Sequence, residues 1–145
     1  MKTLISGHRL FKLKSYNTEW IKEAIEKSML DLPISIGLSG MASGVDLWFC
    51  QSCLKNNIPY MACVPFEGQE YTLEKSEREI RGTLIDSACE LKSMRNSQMI
   101  EKCDCGIIVF DGNKGGTHNV FQQMIESKKP FMWINPVAEH IYKID

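Results

Sequence analysis

Net charge is all but missing from this 145-residue chain: 17 Lys and Arg stand against 18 Asp and Glu, leaving −1 at pH 7. Such a balance provides no global field to draw the chain onto nucleic acid or an anionic membrane. Long apolar runs are missing too, and none approaches the roughly 20 residues that cross a bilayer. The N-terminus, Met1-Lys2-Thr3-Leu4-Ile5-Ser6-Gly7, reaches a glycine turn after a few apolar residues. That is the pattern of a first strand, not of a secretory signal. No repeat, linker or low-complexity segment interrupts the chain. These absences leave a cytoplasmic globular protein as the expectation, in keeping with 43% hydrophobic and 24% charged residues. At this length one domain, residues 1–145, with a single well-buried core is expected.

Cysteine, by contrast, is in surplus, with six. Cys50 and Cys53 are spaced i, i+3 in a helical pattern, and Cys103 and Cys105 flank Asp104 ahead of a strand. Thiolates at short spacing suit tetrahedral zinc, but structural zinc pairs usually lie on turns. Cys50 and Cys53 instead sit among Trp48, Phe49 and Leu54. We read these thiols as small buried hydrophobes, with no metal, no cofactor and no disulfide framework expected.

Apolar runs and helical periodicities alternate along the chain. Residues 2–6 read as a strand, followed by a polar loop over 7–17. Thr18 is placed to cap a helix running to about residue 31, whose buried face carries Ile21, Ala24, Ile25 and Met29. Pro33 ends that helix, and strands are expected at 34–38 and 58–64 around a helix that starts near Val45. A charged helix at 72–87, mostly a solvated face, precedes a short strand near Cys89-Glu90-Leu91. A helix at 95–102, a strand at 105–110, a helix at 117–128 and a last strand at 131–134 complete the pattern. Alternation of this kind predicts an α/β fold: a mainly parallel sheet with helices on both faces. Ligands of such sheets bind beyond the carboxyl ends of the strands, where the strand order switches.

The polar and glycine-rich loops all fall at those ends. Ser6-Gly7-His8-Arg9 follows the first strand, and Arg9 offers planar, bidentate phosphate recognition. Gly40-Met41-Ala42-Ser43-Gly44-Val45-Asp46 follows the second, with glycines for close approach and Asp46 in the first helical turn. It is neither a GxGxxG fingerprint nor a Walker loop. Asp46 either stabilises the helix start alone, or binds ribose hydroxyls and orients Arg9. Phe66 and Glu67 follow the third strand, where Glu67 either acts as a general acid or base or bonds a backbone turn. Arg95 and Asn96 either cap a helix or reach the same crevice. After the 105–110 strand come Asp111, Gly112, Gly115, Gly116, Thr117 and His118. Their helix start offers free N–H donors to a phosphate beside hydroxyl and imidazole groups.

The order of these motifs resembles the SLOG superfamily of Rossmann-like nucleotide-binding proteins. That group joins the LONELY GUY phosphoribohydrolases with the DNA-processing protein DprA and many bacterial and phage proteins. The similar segments are the Gly40–Asp46 loop, Pro65-Phe66-Glu67-Gly68-Gln69, Met94-Arg95-Asn96-Ser97-Gln98-Met99 and Gly115-Gly116-Thr117, spanning residues 5 to about 134. The resemblance implies a single Rossmann-like domain and a nucleotide or nucleotide-derived ligand held by the two glycine loops. LONELY GUY enzymes carry a catalytic glutamate in a PGGxGTxxE-type loop, whereas here no carboxylate follows Thr117 until Glu126. Two functions therefore stand side by side. One is a nucleotide-binding module, acting as a sensor or sequestering protein and expected as a homo-oligomer. The other is an N-glycosidase on a nucleoside 5'-monophosphate, with Glu67 or Asp46 as its carboxylate.

Overall fold

The computed structural model describes residues 1–145. Its centre is β1 (Lys2–Gly7), whose Leu4 and Ile5 point to opposite faces and are both buried. A strand buried on both faces needs helices above and below, which is the environment of a parallel sheet. On one side of β1 lie β2 (Ile36–Ser39), β3 (Tyr60–Val64) and β4 (Glu90–Ser93), and on the other β5 (Cys105–Val109), β6 (Phe131–Asn135) and β7 (His140–Ile144). The order is β4-β3-β2-β1-β5-β6-β7, parallel throughout except that β7 pairs antiparallel with β6. Winding therefore reverses between β1 and β5.

Two cores follow from the period-two alternation of the strands. On one face Ile5, Tyr60, Ala62, Ile107 and Val109 pack against α2 (Thr18–Leu30), α3 (Val45–Lys55) and α4 (Lys75–Ser87). On the other Leu4, Leu38, Met61, Cys63 and Ile108 pack against α5 (Asn96–Lys102) and α6 (Gly116–Glu126). Cys50 and Cys53 are fully buried on α3, and burial pushes the Cys53 thiol up to about 12. They are packing groups of the first core.

The structure departs from the sequence expectations in several places. The loop after β1 contains a short helix, α1 (Leu10–Leu13), too brief to show a helical period. Asn17, not Thr18, caps α2: its side-chain oxygen accepts from the Trp20 N–H at 3.1 Å. The charged helix starts at Lys75, after a separate 3₁₀ turn at Gln69–Thr72. It is mostly exposed, as expected, but Glu77 and Arg81 are buried beside Leu84. Strand β7 was not anticipated. A turn in which Asn135 accepts from the Val137 and Ala138 amides returns the chain onto β6.

Candidate functional site

The carboxyl ends of β1, β2, β3 and β5 surround a cleft of about 1090 Å³ at the switch in strand order. Gly7, His8, Arg9, Gly40, Ala42, Ser43, Asp46, Phe66, Arg95, Asn96, Gly115, Gly116 and Thr117 all line it. Met41, Gly44, Glu67, Asp111, Gly112 and His118 do not. The reasons differ. Met41 is buried in the core under the loop, with left-handed backbone (φ 58°). His118 lies against the Phe110 ring, 5.7 Å between centroids. Glu67 is exposed and has no hydrogen-bond partner in the protein. In that Pro-Phe-Glu-Gly-Gln segment the side chain turned inward is Gln69, which is buried.

Gly44 is a packing glycine. A Cβ there would lie 2.7 Å from the Leu10 amide nitrogen and 2.8 Å from the His8 carbonyl oxygen, and its φ of +85° suits only glycine. It lets the loop after β1 press directly onto the start of α3. Gly7 does the same from the other side, since its Cβ would meet the Val45 side chain at 2.7 Å.

The β2–α3 loop is held on every side. The Ser39 hydroxyl donates to the Asp46 carbonyl and accepts from the Met41 amide. Gln69 donates to the Gly40 carbonyl at 2.8 Å, and Arg81 donates to the Met41 carbonyl and to the Gln69 side-chain oxygen. Glu77 accepts from the Ser43 hydroxyl at 2.6 Å and from the Gly44 amide at 3.0 Å. The Ser43 oxygen in turn accepts from the Leu10 amide, tying α1 to the same network. Sequence reasoning missed Glu77 and Arg81. Their signal was the i, i+4, i+7 stripe Glu77, Arg81, Leu84, which marks one helix face turned inward.

Asp46 sits inside this frame, 8% exposed. Its Oδ2 accepts from the Ala42 amide at 3.2 Å, while Oδ1 has no protein partner. Burial pushes its carboxyl up to about 7, against the opposing pull of the Ala42 amide and the Arg9 charge. A carboxyl lining a cleft and titrating near neutrality can hand a proton over in either direction.

Asp111 is the opposite case. Burial alone would raise its carboxyl, yet it is held far below the ordinary range by hydrogen bonds from the Asn113 amide, the Tyr16 hydroxyl and Lys12, together with the nearby His8. Tyr16 donates at 2.7 Å, and the Lys12 ammonium lies 3.2 Å away. His8 Nε2 lies 3.2 Å from Asp111 Oδ1 but also accepts the Asp111 amide N–H at 3.1 Å. Burial lowers the His8 pKa, against the upward pull of the Asp111 charge. Asp111 thus clamps α1 and the loop after β1 to the end of β5.

The remaining face of the cleft is the start of α6. No side chain caps this helix, and its first amides have no intrahelical partner. A Cβ on Gly115 or Gly116 would meet nothing within 4 Å, so both glycines border open space. Arg9, Lys12, Arg95 and Lys114 line the same cleft, as do the acidic Asp46, Glu74 and Glu77. No group of three or more His, Cys, Asp or Glu side chains is placed to hold a metal ion.

Parallel sheet, two helical layers and a cleft at the β1/β5 switch define a Rossmann-like α/β protein. Among solved structures, the fold is similar to the X-ray structure of DNA processing protein A (DprA) from Streptococcus pneumoniae, with a TM-score of 0.60. The match covers 91% of this chain and 49% of that one at 13% identity, so the chain spans about half the length of that protein. At this identity the likeness is one of fold. No family profile and no curated protein sequence matches the chain. No helix is long and apolar enough to cross a membrane.

Proposed function

We propose that the cleft binds a nucleotide or nucleotide-derived small molecule, and that the chain acts as a sensor or sequestering protein for it. The observation that carries this reading is the uncapped α6 start opening into a large cleft with Arg9, Arg95 and Lys114 on its walls. Free amides at a helix N-terminus favour an anion, and guanidinium groups supply the counter-charge. The ribose then lies towards Asp46 across the cleft. The DNA processing in the DprA name is not carried over, because a net charge of −1 supplies no overall field to hold a duplex. A homo-oligomer is part of the proposal, and sedimentation analysis tests it.

Gly116→Val tests the phosphate site. The new side chain enters open space, so the fold persists, but it occupies the approach to the α6 amides. Calorimetry with nucleoside monophosphates is expected to show at least a tenfold loss of affinity, and unchanged affinity would place the phosphate elsewhere.

Asp46 favours a second reading, N-glycosidase action on a nucleoside 5'-monophosphate. Its free oxygen and neutral-range pKa suit a general base: water attacks the anomeric carbon, the N-glycosidic bond breaks with its electron pair on the nucleobase, and the proton Asp46 takes from the water is passed on to that departing nucleobase. Glu67, exposed and outside the cleft lining, has no such position. Release of free base from AMP, followed by chromatography, separates enzyme from binder. Under the enzyme reading Asp46→Asn abolishes release while AMP still binds; release that survives the substitution removes Asp46 from the chemistry.

A further inference from the structure

Six of the cleft-lining residues are hydrophobic, and the phenyl rings among them are Phe11 and Phe66. Phe11 is left almost wholly in solvent, at 90% exposed, and Phe66 about half so, at 49%. Neither is on a floppy element. Phe11 belongs to α1, which is pinned from below by the buried Leu13 and from the sides by two polar ties. These are the Leu10 amide on the Ser43 oxygen at 3.2 Å and Lys12 on Asp111 at 3.2 Å. Phe66 follows β3 directly after Pro65, whose ring restricts the backbone. Tyr71, the other exposed aromatic nearby, is no part of the cleft lining, and the Arg78 guanidinium already lies over its ring at 5.4 Å.

Folding gains almost nothing from the Phe11 ring and only part of what the Phe66 ring offers, because that apolar surface stays in water. The gain is available only to something that enters the cleft. Every nucleobase has a π-face, and stacking one on an aromatic side chain strengthens binding roughly five- to hundred-fold. We propose that Phe11 and Phe66 form the subsite for the aromatic base of the ligand, stacking it near the mouth of the cleft while the phosphate sits on the α6 start. This rests on the nucleotide reading above, and it adds what distinguishes a nucleotide from a bare sugar phosphate.

The test measures AMP and ribose 5-phosphate side by side, by calorimetry, on the wild type, Phe11→Ala and Phe66→Ala. AMP is expected to bind the wild type at least tenfold more tightly than ribose 5-phosphate. Each substitution is expected to weaken AMP by roughly five-fold or more while leaving ribose 5-phosphate within about two-fold. Equal affinity for the two ligands, or an equal loss of both, would overturn the stacking subsite and leave the phosphate reading standing. Binding of neither ligand would overturn both. If Phe11→Ala dissociates an oligomer in sedimentation analysis and leaves AMP affinity unchanged, the ring faces a second copy of this chain and the proposal fails. Since both rings are exposed, either variant is expected to fold, which circular dichroism verifies.

Discussion

Substituting Asp46 by Asn changes how stability depends on pH, and the size of the change follows from the site. A carboxyl raised from its unfolded value of about 3.9 to about 7 keeps its proton in the folded chain while the unfolded chain has lost it. Between those two values the native state binds more protons, so stability falls as pH rises. The penalty begins near pH 4, grows by about 1.4 kcal/mol per pH unit and is complete just above pH 7, at about 4 kcal/mol. From pH 5 to pH 8 the wild type therefore loses about 2.5 kcal/mol through this group alone. Asn keeps an oxygen to accept from the Ala42 amide and carries no charge to desolvate. All other titrating groups are common to both proteins and cancel in the difference. Urea unfolding at pH 5 and pH 8 is expected to show the advantage of Asp46→Asn growing by about 2.5 kcal/mol, or about 8 °C in Tm for a chain of this length. A gap constant to within about 0.5 kcal/mol over that range would mean that Asp46 is ionised throughout, and the reasoning from its burial would be wrong.

Three other outcomes are expected. Glu77→Ala leaves the Ser43 hydroxyl and the Gly44 amide without their buried acceptor, so unfolding in urea should show a loss of about 2–4 kcal/mol. Gly44→Ala forces a Cβ to within 2.7 Å of backbone at a φ of +85°, and a loss of about 3 kcal/mol or more, or failure to fold, is the expected result. Tyr16→Phe removes a 2.7 Å bond to the Asp111 carboxylate and should cost about 1–2 kcal/mol at pH 7. The Asp111 pKa is depressed, so its stabilisation is present above about pH 4 and is lost as pH falls below that. Because Asp111 stays ionised in the folded chain well below the ordinary carboxylate range, the Tyr16→Phe deficit, read by thermal unfolding, should be unchanged between pH 7 and pH 4.

The central strands were legible because burial on both faces leaves short, nearly continuous apolar runs such as Ile107 and Ile108 in β5. The loops were legible because glycine punctuates them. Strand β7 was not, since its residues are exposed or half-buried and alternate weakly, so only the pairing with β6 reveals it. Around the cleft the errors share one cause. Sequence shows which residue types lie near a strand end but not which of them turn inward. Glu67 and Gln69 are two positions apart after the same strand, yet Gln69 bonds Gly40 and Arg81 while Glu67 faces solvent. Glu77 and Arg81 lie on a helix dominated by charge, where a buried stripe is hard to tell from a solvated one.

The three buried carboxylates near the cleft are distinguished by how many donors reach them. Glu77 is met at both oxygens, by Ser43 and Gly44, and Asp111 by the Asn113 amide, Tyr16 and Lys12. Groups satisfied in this way hold structure: one fixes the β2–α3 loop and the other fixes α1. Asp46 lines the cleft, is reached by a single backbone amide, and has a second oxygen with no donor in the protein. Desolvation without compensating donors keeps its proton available near pH 7, where saturation with donors would have ionised it for good. Separating carboxylates in this manner is how one site assigns scaffold and proton-transfer roles to the same functional group. Under the enzyme reading proposed above, Asp46 is the residue assigned to the proton; under the binding reading, the same carboxyl is expected to make affinity for an anionic ligand weaken as pH rises through about 7.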